Sequence, residues 1–155
     1  MALREIFPKA TVLASLSSTE KDELFEELIE SIYSSYPKFD RREALERLNA
    51  REAKMTTGIM HSVAVPHALI PSMTGTIGAV GISREGIDYD SLDKSPVHAV
   101  FMVIGNEAET ERHVQVLRQL AAVLEIPNFV TRLLSLKSSS EIHDFICNSE
   151  ESLLN

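Results

Sequence analysis

The sequence predicts an α/β fold: a single domain in which a mixed sheet of four or five strands carries helices on both faces. Three observations predict this fold. Amphipathic helical periodicity marks the first and last thirds of the chain, and short runs of β-branched residues mark the middle third. No internal repeat or linker divides the 155 residues, a length that suits one compact core. We therefore expect one domain over residues 1–155.

The first third of the chain is predicted to form two helices. The first lies within residues 17–36, where apolar residues recur with helical spacing, and either Ser18 or Thr19 suits its N-cap. Pro37 is predicted to end this helix, because proline cannot continue the helical hydrogen-bond ladder. Asp40 suits the N-cap of the second helix, which follows directly.

The middle third is predicted to form the strands. Runs rich in β-branched and other apolar residues occur at 63–65, 76–82 and 96–104, and glycines and prolines separate them. The segment 84–96 is rich in Asp and Ser, so we expect it to be a surface excursion between neighbouring strands.

The last third returns to helical periodicity. A helix is predicted to begin near Thr110, and one of its faces carries His113, Leu117, Leu120 and Leu124. Two shorter helices follow, one starting after Pro127 and one capped by Ser139 or Ser140.

Composition and charge exclude several classes of function. The formal net charge of −8 and the lack of a basic stripe argue against binding nucleic acid. No apolar run is long enough to span a membrane. The single cysteine, Cys147, indicates a reduced, cytoplasmic protein, and neither a metal-binding motif nor a cofactor motif is present.

Among the five histidines, His67 has the most suggestive context. It follows Pro66 directly after the apolar run 63–65, where the strand is expected to stop and turn. A histidine held on a stiffened backbone at a strand end is well placed to act as a nucleophile. We interpret His98 and His143 as structural residues.

The segment from Arg51 to Ala68, REAKMTTGIMHSVAVPHA, resembles the active-site segment of the fructose, mannitol and nitrogen-regulatory IIA family of the bacterial phosphotransferase system. Its shared features are the RE pair, the paired threonines, the glycine and isoleucine, and the VAVPHA block. Three further segments agree with the family in order and spacing. They are the loop 85–97 with its following strand, the helix carrying His113, and the C-terminal helices. The resemblance covers about residues 10–148, which we expect to form the core of the domain.

The resemblance implies a phosphocarrier that needs no cofactor. His67 would accept a phosphoryl group from HPr or its nitrogen-system paralogue and pass it to a IIB component, or hold it as a regulatory state. His113 and Arg51 match the second histidine and the arginine of the family's site. His113 also falls near the start of its predicted helix, where an anion is favoured. Thr57 is predicted to add a hydroxyl hydrogen bond to the phosphate.

One part of the motif departs from the family. Met60, His61 and Ser62 stand where the family usually has Gly-Asn-Gly, so backbone freedom is lost. His61 replaces a polar amide, and it is therefore a possible additional site residue.

Three alternatives stay open at the level of sequence. A zinc site would use His61, His67 and His113 with an acidic residue such as Glu52, although no metal-binding spacing supports it. A binding-only regulator would keep the fold without phosphoryl transfer. Within the family, the nitrogen-regulatory type is favoured over a sugar-specific transport IIA.

Overall fold

The computed structural model describes residues 2–58 and 60–154. Within them, one mixed sheet contains β1 (Val12–Leu13), β2 (Val63–Ala64), β3 (His67–Ile70), β4 (Ile77–Ile87) and β5 (Val97–Asn106). The two long strands, β4 and β5, form an antiparallel pair at the centre. On one side β1 runs parallel to β4, and on the other side β2 and β3 run parallel to β5.

The edge formed by β2 and β3 is one strand with a break in it. Val63 lies opposite Ala99 and His67 lies opposite Val103, so the register along β5 is the same on both sides of the break. Pro66 has no N–H to donate, and the N–H of Val65 donates to the carbonyl of Thr57 instead of β5. We expected the strand to stop before His67, but it resumes there, and His67 is the first residue of β3.

The described helices are α1 (Leu3–Ile6), α2 (Lys21–Ser35), α3 (Arg41–Lys54), α4 (Thr110–Leu124), α5 (Phe129–Ser135) and α6 (Ser139–Leu153), with a 3-10 turn at Lys9–Thr11. Helices α2 and α3 pack on one face of the sheet, and α1, α4, α5 and α6 pack on the other. The predicted mixed sheet with helices on both faces is therefore confirmed. No described helix is long and apolar enough to cross a bilayer.

Alternation along the central strands supplies both halves of the core. In β5, Val100 and Met102 face α2 and α3, whereas Phe101 and Val103 face the other helices. At the N-terminus, Leu3, Ile6 and Phe7 are fully buried, so the packed part of the chain begins well ahead of residue 10.

Two predicted helix caps are wrong. The N-cap of α2 is Glu20, and the hydroxyl of Ser18 donates to the carboxylate of Glu27, two turns into the helix. The N-cap of α6 is Ser138, one residue earlier than predicted, and it forms a reciprocal capping box with Glu141. The Asp40 cap of α3 is confirmed, since its carboxylate accepts from the N–H of Glu43.

The segment 84–96 is also more deeply embedded than its composition suggested. Its first four residues extend β4, and Tyr89 and Ser91 are buried. The polar residues around them give no sign of this burial in the sequence. It is possible because the hydroxyl groups of both residues find hydrogen-bond partners inside the protein.

Candidate active site

The imidazole of His67 is held in one tautomer by the backbone. Its Nδ1 lies 2.8 Å from the carbonyl oxygen of Val65. A carbonyl oxygen can only accept, so Nδ1 carries the proton and Nε2 keeps its lone pair. The side chain is half-buried and lines a pocket at the sheet edge. These features present Nε2 as a nucleophile.

The surroundings of His67 favour the neutral imidazole. Burial lowers the pKa of His67 below its ordinary value of 6.5, and the positive charge of Arg51 lowers it further. The carbonyl of Val65 and the carboxylate of Glu52 act in the opposite direction, but burial outweighs them. His67 is therefore uncharged near neutral pH, as nucleophilic attack requires.

His113 lies directly beside His67. It is the fourth residue of α4, and the two ring centroids are 5.6 Å apart with their planes inclined by 48°. The two imidazoles are therefore neighbours at the pocket that His67 lines. His113 is only 4% exposed, and neither of its ring nitrogens has a hydrogen-bond partner among the described residues. Burial, together with the proximity of His67, lowers the pKa of His113 to about 4.

Gly105, near the end of β5, leaves the space in which His113 sits. A Cβ atom at position 105 would lie 2.9 Å from Nδ1 of His113, closer than real contacts of this kind. A side chain at this position would therefore displace the imidazole. Nothing in the local sequence pattern indicates this role for Gly105.

Arg51 and Thr57 lie on the wall of the same pocket as His67. The Nη1 group of Arg51 donates to the carbonyl of Met55, 2.8 Å away, just beyond the end of α3. Thr57 is buried, and its hydroxyl donates to the carboxylate of Glu52 at 2.6 Å. The structure thus brings both predicted residues to the pocket, with the Thr57 hydroxyl bonded to a protein partner.

Thr57 belongs to a buried polar cluster, the Glu52 cluster, whose members are Lys21, Glu52, Thr57 and Tyr89. Burial on its own raises the pKa of Glu52, but the two hydrogen bonds from Thr57 and the charge of Lys21 outweigh it and hold the pKa below 4.5. Sequence reasoning missed Lys21 and Tyr89. The one available signal was Tyr89, a large aromatic residue in a segment otherwise rich in Asp and Ser.

His61 does not join the histidine pair in this arrangement. Its side chain is 78% exposed, and its Nδ1 lies 3.3 Å from the carboxylate of Asp93. It is not among the described residues that line the pocket next to His67. The next residue, Ser62, has a φ of 66°, a left-handed conformation that the glycine of the family pattern would adopt without steric cost.

The pocket itself has a volume of about 490 Å³ and mostly apolar walls. His67, Arg51 and Thr57 supply polar groups, and α4 with the residue that follows it supplies Leu117, Leu120, Ala121, Leu124 and Glu125. Its size falls within the range of ordinary ligand pockets. A partner's side chain or a small group can therefore reach His67 from this side.

The zinc alternative finds no support in this geometry. Across residues 2–58 and 60–154, no three His, Cys, Asp or Glu side chains lie close enough together to hold a metal ion. The carboxylate of Glu52 is already engaged by Thr57, Tyr89 and Lys21.

The chain matches the model of one family, the phosphoenolpyruvate-dependent sugar phosphotransferase system EIIA 2 family, over residues 5–149. The chain therefore belongs to this family. Its members are phosphotransferase components, which places the chain in a class of transferase components.

The chain is similar to a sugar-specific component and to a nitrogen regulatory protein. The fructose-specific EIIABC component of Bacillus subtilis strain 168 is 32% identical over 94% of this chain, which spans only 23% of that protein. The nitrogen regulatory protein of Pseudomonas aeruginosa is 29% identical over 93% of this chain and 94% of its own length.

Solved structures agree with the fold. The nitrogen regulatory protein IIA-Ntr from Neisseria meningitidis superposes with a TM-score of 0.84 at 27% identity, over 93% of this chain and 98% of that one. The mannitol IIA of Escherichia coli, solved in complex with phosphorylated mannitol IIB, superposes with a TM-score of 0.76 over 92% of this chain and 99% of that one. At 18% identity, the second match indicates a shared fold only.

Proposed function

We propose that this protein is a IIA-type phosphocarrier that forms a phosphohistidine at Nε2 of His67. The donor is HPr or its nitrogen-system paralogue, and the acceptor is a IIB component or a regulated target protein. One observation carries the proposal: a neutral imidazole with Nδ1 bonded to a carbonyl lies beside a second, buried imidazole whose nitrogens have no partner in the part of the chain that the structure describes. Membership of the family supports it.

The proposed chemistry is an in-line exchange of one P–N bond for another. Nε2 of His67 attacks the phosphorus of the phosphorylated donor, and the bond from phosphorus to the donor nitrogen breaks as the new bond forms. Nδ1 of His67 keeps its proton, because this N–H donates a hydrogen bond to the carbonyl of Val65 before and after the transfer. The bond between Nδ1 and Val65 thus also stabilises the product.

His113 and Arg51 provide for the charge of the phosphoryl group. The neutral ring of His113 has one N–H to donate, and no described residue uses it. A phosphoryl dianion on His67 would raise the pKa of His113, because an opposite charge favours the protonated ring. The guanidinium of Arg51 lines the same pocket and suits phosphate oxygens. Thr57 can join them through its hydroxyl only if its bond to Glu52 is exchanged.

Within the family we favour the nitrogen-regulatory type. The Pseudomonas and Neisseria proteins of that type align over almost the whole of both chains. A sugar-specific IIA is the second candidate, favoured by the 32% identity to the Bacillus fructose component. The two candidates differ in their partner. The first would regulate a target protein, and the second would pass its phosphoryl group to a IIB component.

Phosphoryl transfer can be tested directly by mass spectrometry. The protein is incubated with phosphorylated HPr and, separately, with the phosphorylated nitrogen-system paralogue, and the intact mass is recorded. We expect the wild type and a His98→Gln control to gain one phosphoryl group, and His67→Gln to gain none. The preferred donor distinguishes the two types.

Two results would contradict the proposal. A wild type that gains no phosphoryl group from either donor would support the binding-only regulator. A His67→Gln variant that still gains the group would move the acceptor, with His61 the next histidine to replace.

A further inference from the structure

The carboxylate of Glu52 is saturated with hydrogen-bond donors. Its Oε1 accepts from the hydroxyl of Thr57 at 2.6 Å and from the hydroxyl of Tyr89 at 3.1 Å, and the two hydroxyls lie 2.8 Å from each other. Its Oε2 accepts from the backbone N–H of Thr57 at 2.7 Å and from Nζ of Lys21 at 3.2 Å. An ionised carboxylate offers about four lone-pair sites, so four donors fill it.

These four residues come from four different parts of the chain. Lys21 begins α2, Glu52 lies near the end of α3, Thr57 is in the loop after α3, and Tyr89 follows β4. The loop is held to the Tyr89 segment in a second way, since the N–H of Leu92 donates to the carbonyl of Gly58. The Glu52 cluster therefore fixes the loop 55–58 from several directions.

The loop is connected in turn to the nucleophile by two further hydrogen bonds. The carbonyl of Thr57 accepts from the N–H of Val65 at 3.1 Å, and the carbonyl of Val65 accepts from Nδ1 of His67 at 2.8 Å. The bonds at Thr57 and at Val65 each use N–H and C=O groups of different peptide units. This series of hydrogen bonds therefore fixes the position of the His67 ring, but it does not polarise the ring electronically.

We propose that Glu52 is a positioning residue for the reaction of His67. Its carboxylate holds Thr57, Thr57 holds Val65 at the break in the edge strand, and Val65 fixes the tautomer and orientation of the His67 ring. The inference rests on the phosphocarrier function proposed above, and it goes beyond it by giving a role in that reaction to a residue that does not touch the phosphoryl group.

The break at Pro66 gives such a device a purpose. Neither Val65 nor Pro66 donates an N–H to β5, and the carbonyl of Pro66, which accepts from the N–H of Val103 at 3.0 Å, is the bond to β5 that remains there, so the backbone that presents His67 has less support from the sheet. Glu52 supplies it through Thr57. Without the cluster, the carbonyl of Val65 would be free to turn, and Nδ1 and Nε2 of His67 would share the proton.

The charged groups around His67 also bear on the test. Arg51 and Glu52 come from α3, His113 and Glu125 come from the α4 side, and all four lie at or next to the pocket. Glu52→Gln removes the negative charge as well as one of the two acceptor oxygens. A second variant that leaves the charge unchanged is therefore required. Tyr89→Phe removes only one hydroxyl from the Glu52 cluster.

The experiment compares Glu52→Gln, Tyr89→Phe and the control Thr11→Val. Thr11 is buried, and its hydroxyl donates to the carbonyl of Gly78 at 2.7 Å, at the β1–β4 side of the sheet. It therefore matches the loss of a buried hydroxyl bond away from the site. Circular dichroism establishes that each variant is folded at the temperature of the assay.

Two measurements are made on each variant. The ¹⁵N chemical shifts of the His67 ring near neutral pH report the tautomer, with the resonance assigned from His67→Gln. The kinetics of phosphoryl transfer from the donor report kcat and KM. We expect the ¹⁵N chemical shifts of the two His67 ring nitrogens to become more similar in both site variants. We expect kcat to fall about tenfold to a hundredfold in Glu52→Gln and several-fold in Tyr89→Phe. KM for the donor should change little, and Thr11→Val should match the wild type.

A folded Tyr89→Phe variant with the wild-type tautomer and wild-type kcat would overturn the positioning role, even if Glu52→Gln failed to fold. A fall in kcat of equal size in Thr11→Val would overturn it as well, because the effect would then follow stability alone. The nitrogen shifts need no donor, so they remain decisive if the wild type is never phosphorylated. In that case the proposed function fails while the positioning of the ring is still measured.

Discussion

Two sets of buried polar side chains lie next to each other in this domain, the Glu52 cluster and the pair of His67 and His113. They differ in how far their donors and acceptors are hydrogen-bonded. In the Glu52 cluster, both carboxylate oxygens accept two bonds each. In the pair formed by His67 and His113, both ring nitrogens of His113 are buried without a partner in residues 2–58 and 60–154. The two groups meet at Thr57, Val65 and His67 through backbone hydrogen bonds.

The difference separates support from chemistry. A saturated buried cluster can only hold its members in place, because no donor or acceptor is left for a ligand. An unpaired buried imidazole costs free energy in the resting protein, and its bonding capacity is available to an incoming group. The comparison therefore predicts that substitutions in the Glu52 cluster lower stability and act on transfer only through the position of His67, whereas substitutions of His113 slow transfer directly.

The largest expected effect is on transfer in His113→Ala. Acceptance by His67 should survive, but onward transfer to a IIB component, or back to HPr, should slow by about 10² to 10³, or roughly 3 to 4 kcal/mol, because a preorganised donor to the phosphoryl oxygens is lost. Loss of label from phosphorylated protein measures this rate. Val116→Ala, a truncation at a buried position of the same helix, is the control. Equal rates in His113→Ala and the wild type would make His113 a packing residue.

The second effect concerns stability and the Glu52 cluster. Thr57→Val should lower the free energy of unfolding by roughly 2 kcal/mol, because a buried carboxylate loses its shortest hydrogen bond. Thr57→Ser keeps the hydroxyl and should lose much less. Urea unfolding near neutral pH compares the two variants. If Thr57→Val were as stable as Thr57→Ser, the hydroxyl would contribute nothing and the saturation of the carboxylate would be without energetic consequence.

Sequence reasoning predicted the histidine pair but not the Glu52 cluster, and the reason is physical. His67 and His113 carry local signals: a proline before one, and the first turns of an amphipathic helix around the other. The cluster joins Lys21 and Tyr89 to Glu52 across 31 and 37 residues of sequence, and no local spacing encodes such contacts. Likewise, helix periodicity predicted α2 to α6, whereas the break between β2 and β3 depends on which strand lies alongside.

The third effect is a pH dependence of stability caused by His113. The folded pKa is about 4 and the unfolded value is about 6.5, so the unfolded chain binds the extra proton first. Stability should therefore fall as the pH drops from about 6.5 towards 4, by roughly 1 to 2 kcal/mol at about pH 5. The lowered pKa of His67 acts in the same direction. Glu52, whose pKa lies below 4.5, acts only at lower pH.

Urea unfolding at several pH values between about 7 and 5 measures this dependence. His113→Gln removes the titrating ring and should flatten the profile, leaving the part that His67 contributes. If the profiles of His113→Gln and the wild type were parallel, the buried imidazole would not be the group that takes up the proton.

The smallest expected effect is the sharpest test of the comparison, because it predicts a gain. His113→Leu removes two buried nitrogens that pair with no described residue and puts an apolar side chain in their place, so it should raise the free energy of unfolding by about 1 kcal/mol near neutral pH while abolishing efficient transfer. The same substitution at His98 is the matched control. Its Nδ1–H donates to the carbonyl of Ser83 at 2.9 Å, so His98→Leu leaves an acceptor without its partner and should lower stability by a similar amount. Opposite signs for one chemical change would show that the hydrogen bonds, and not the loss of a histidine, decide the outcome. If His113→Leu lost as much stability as His98→Leu, the imidazole of His113 would have to be well accommodated in the resting protein, and the distinction between a saturated support and an unsatisfied site would fail.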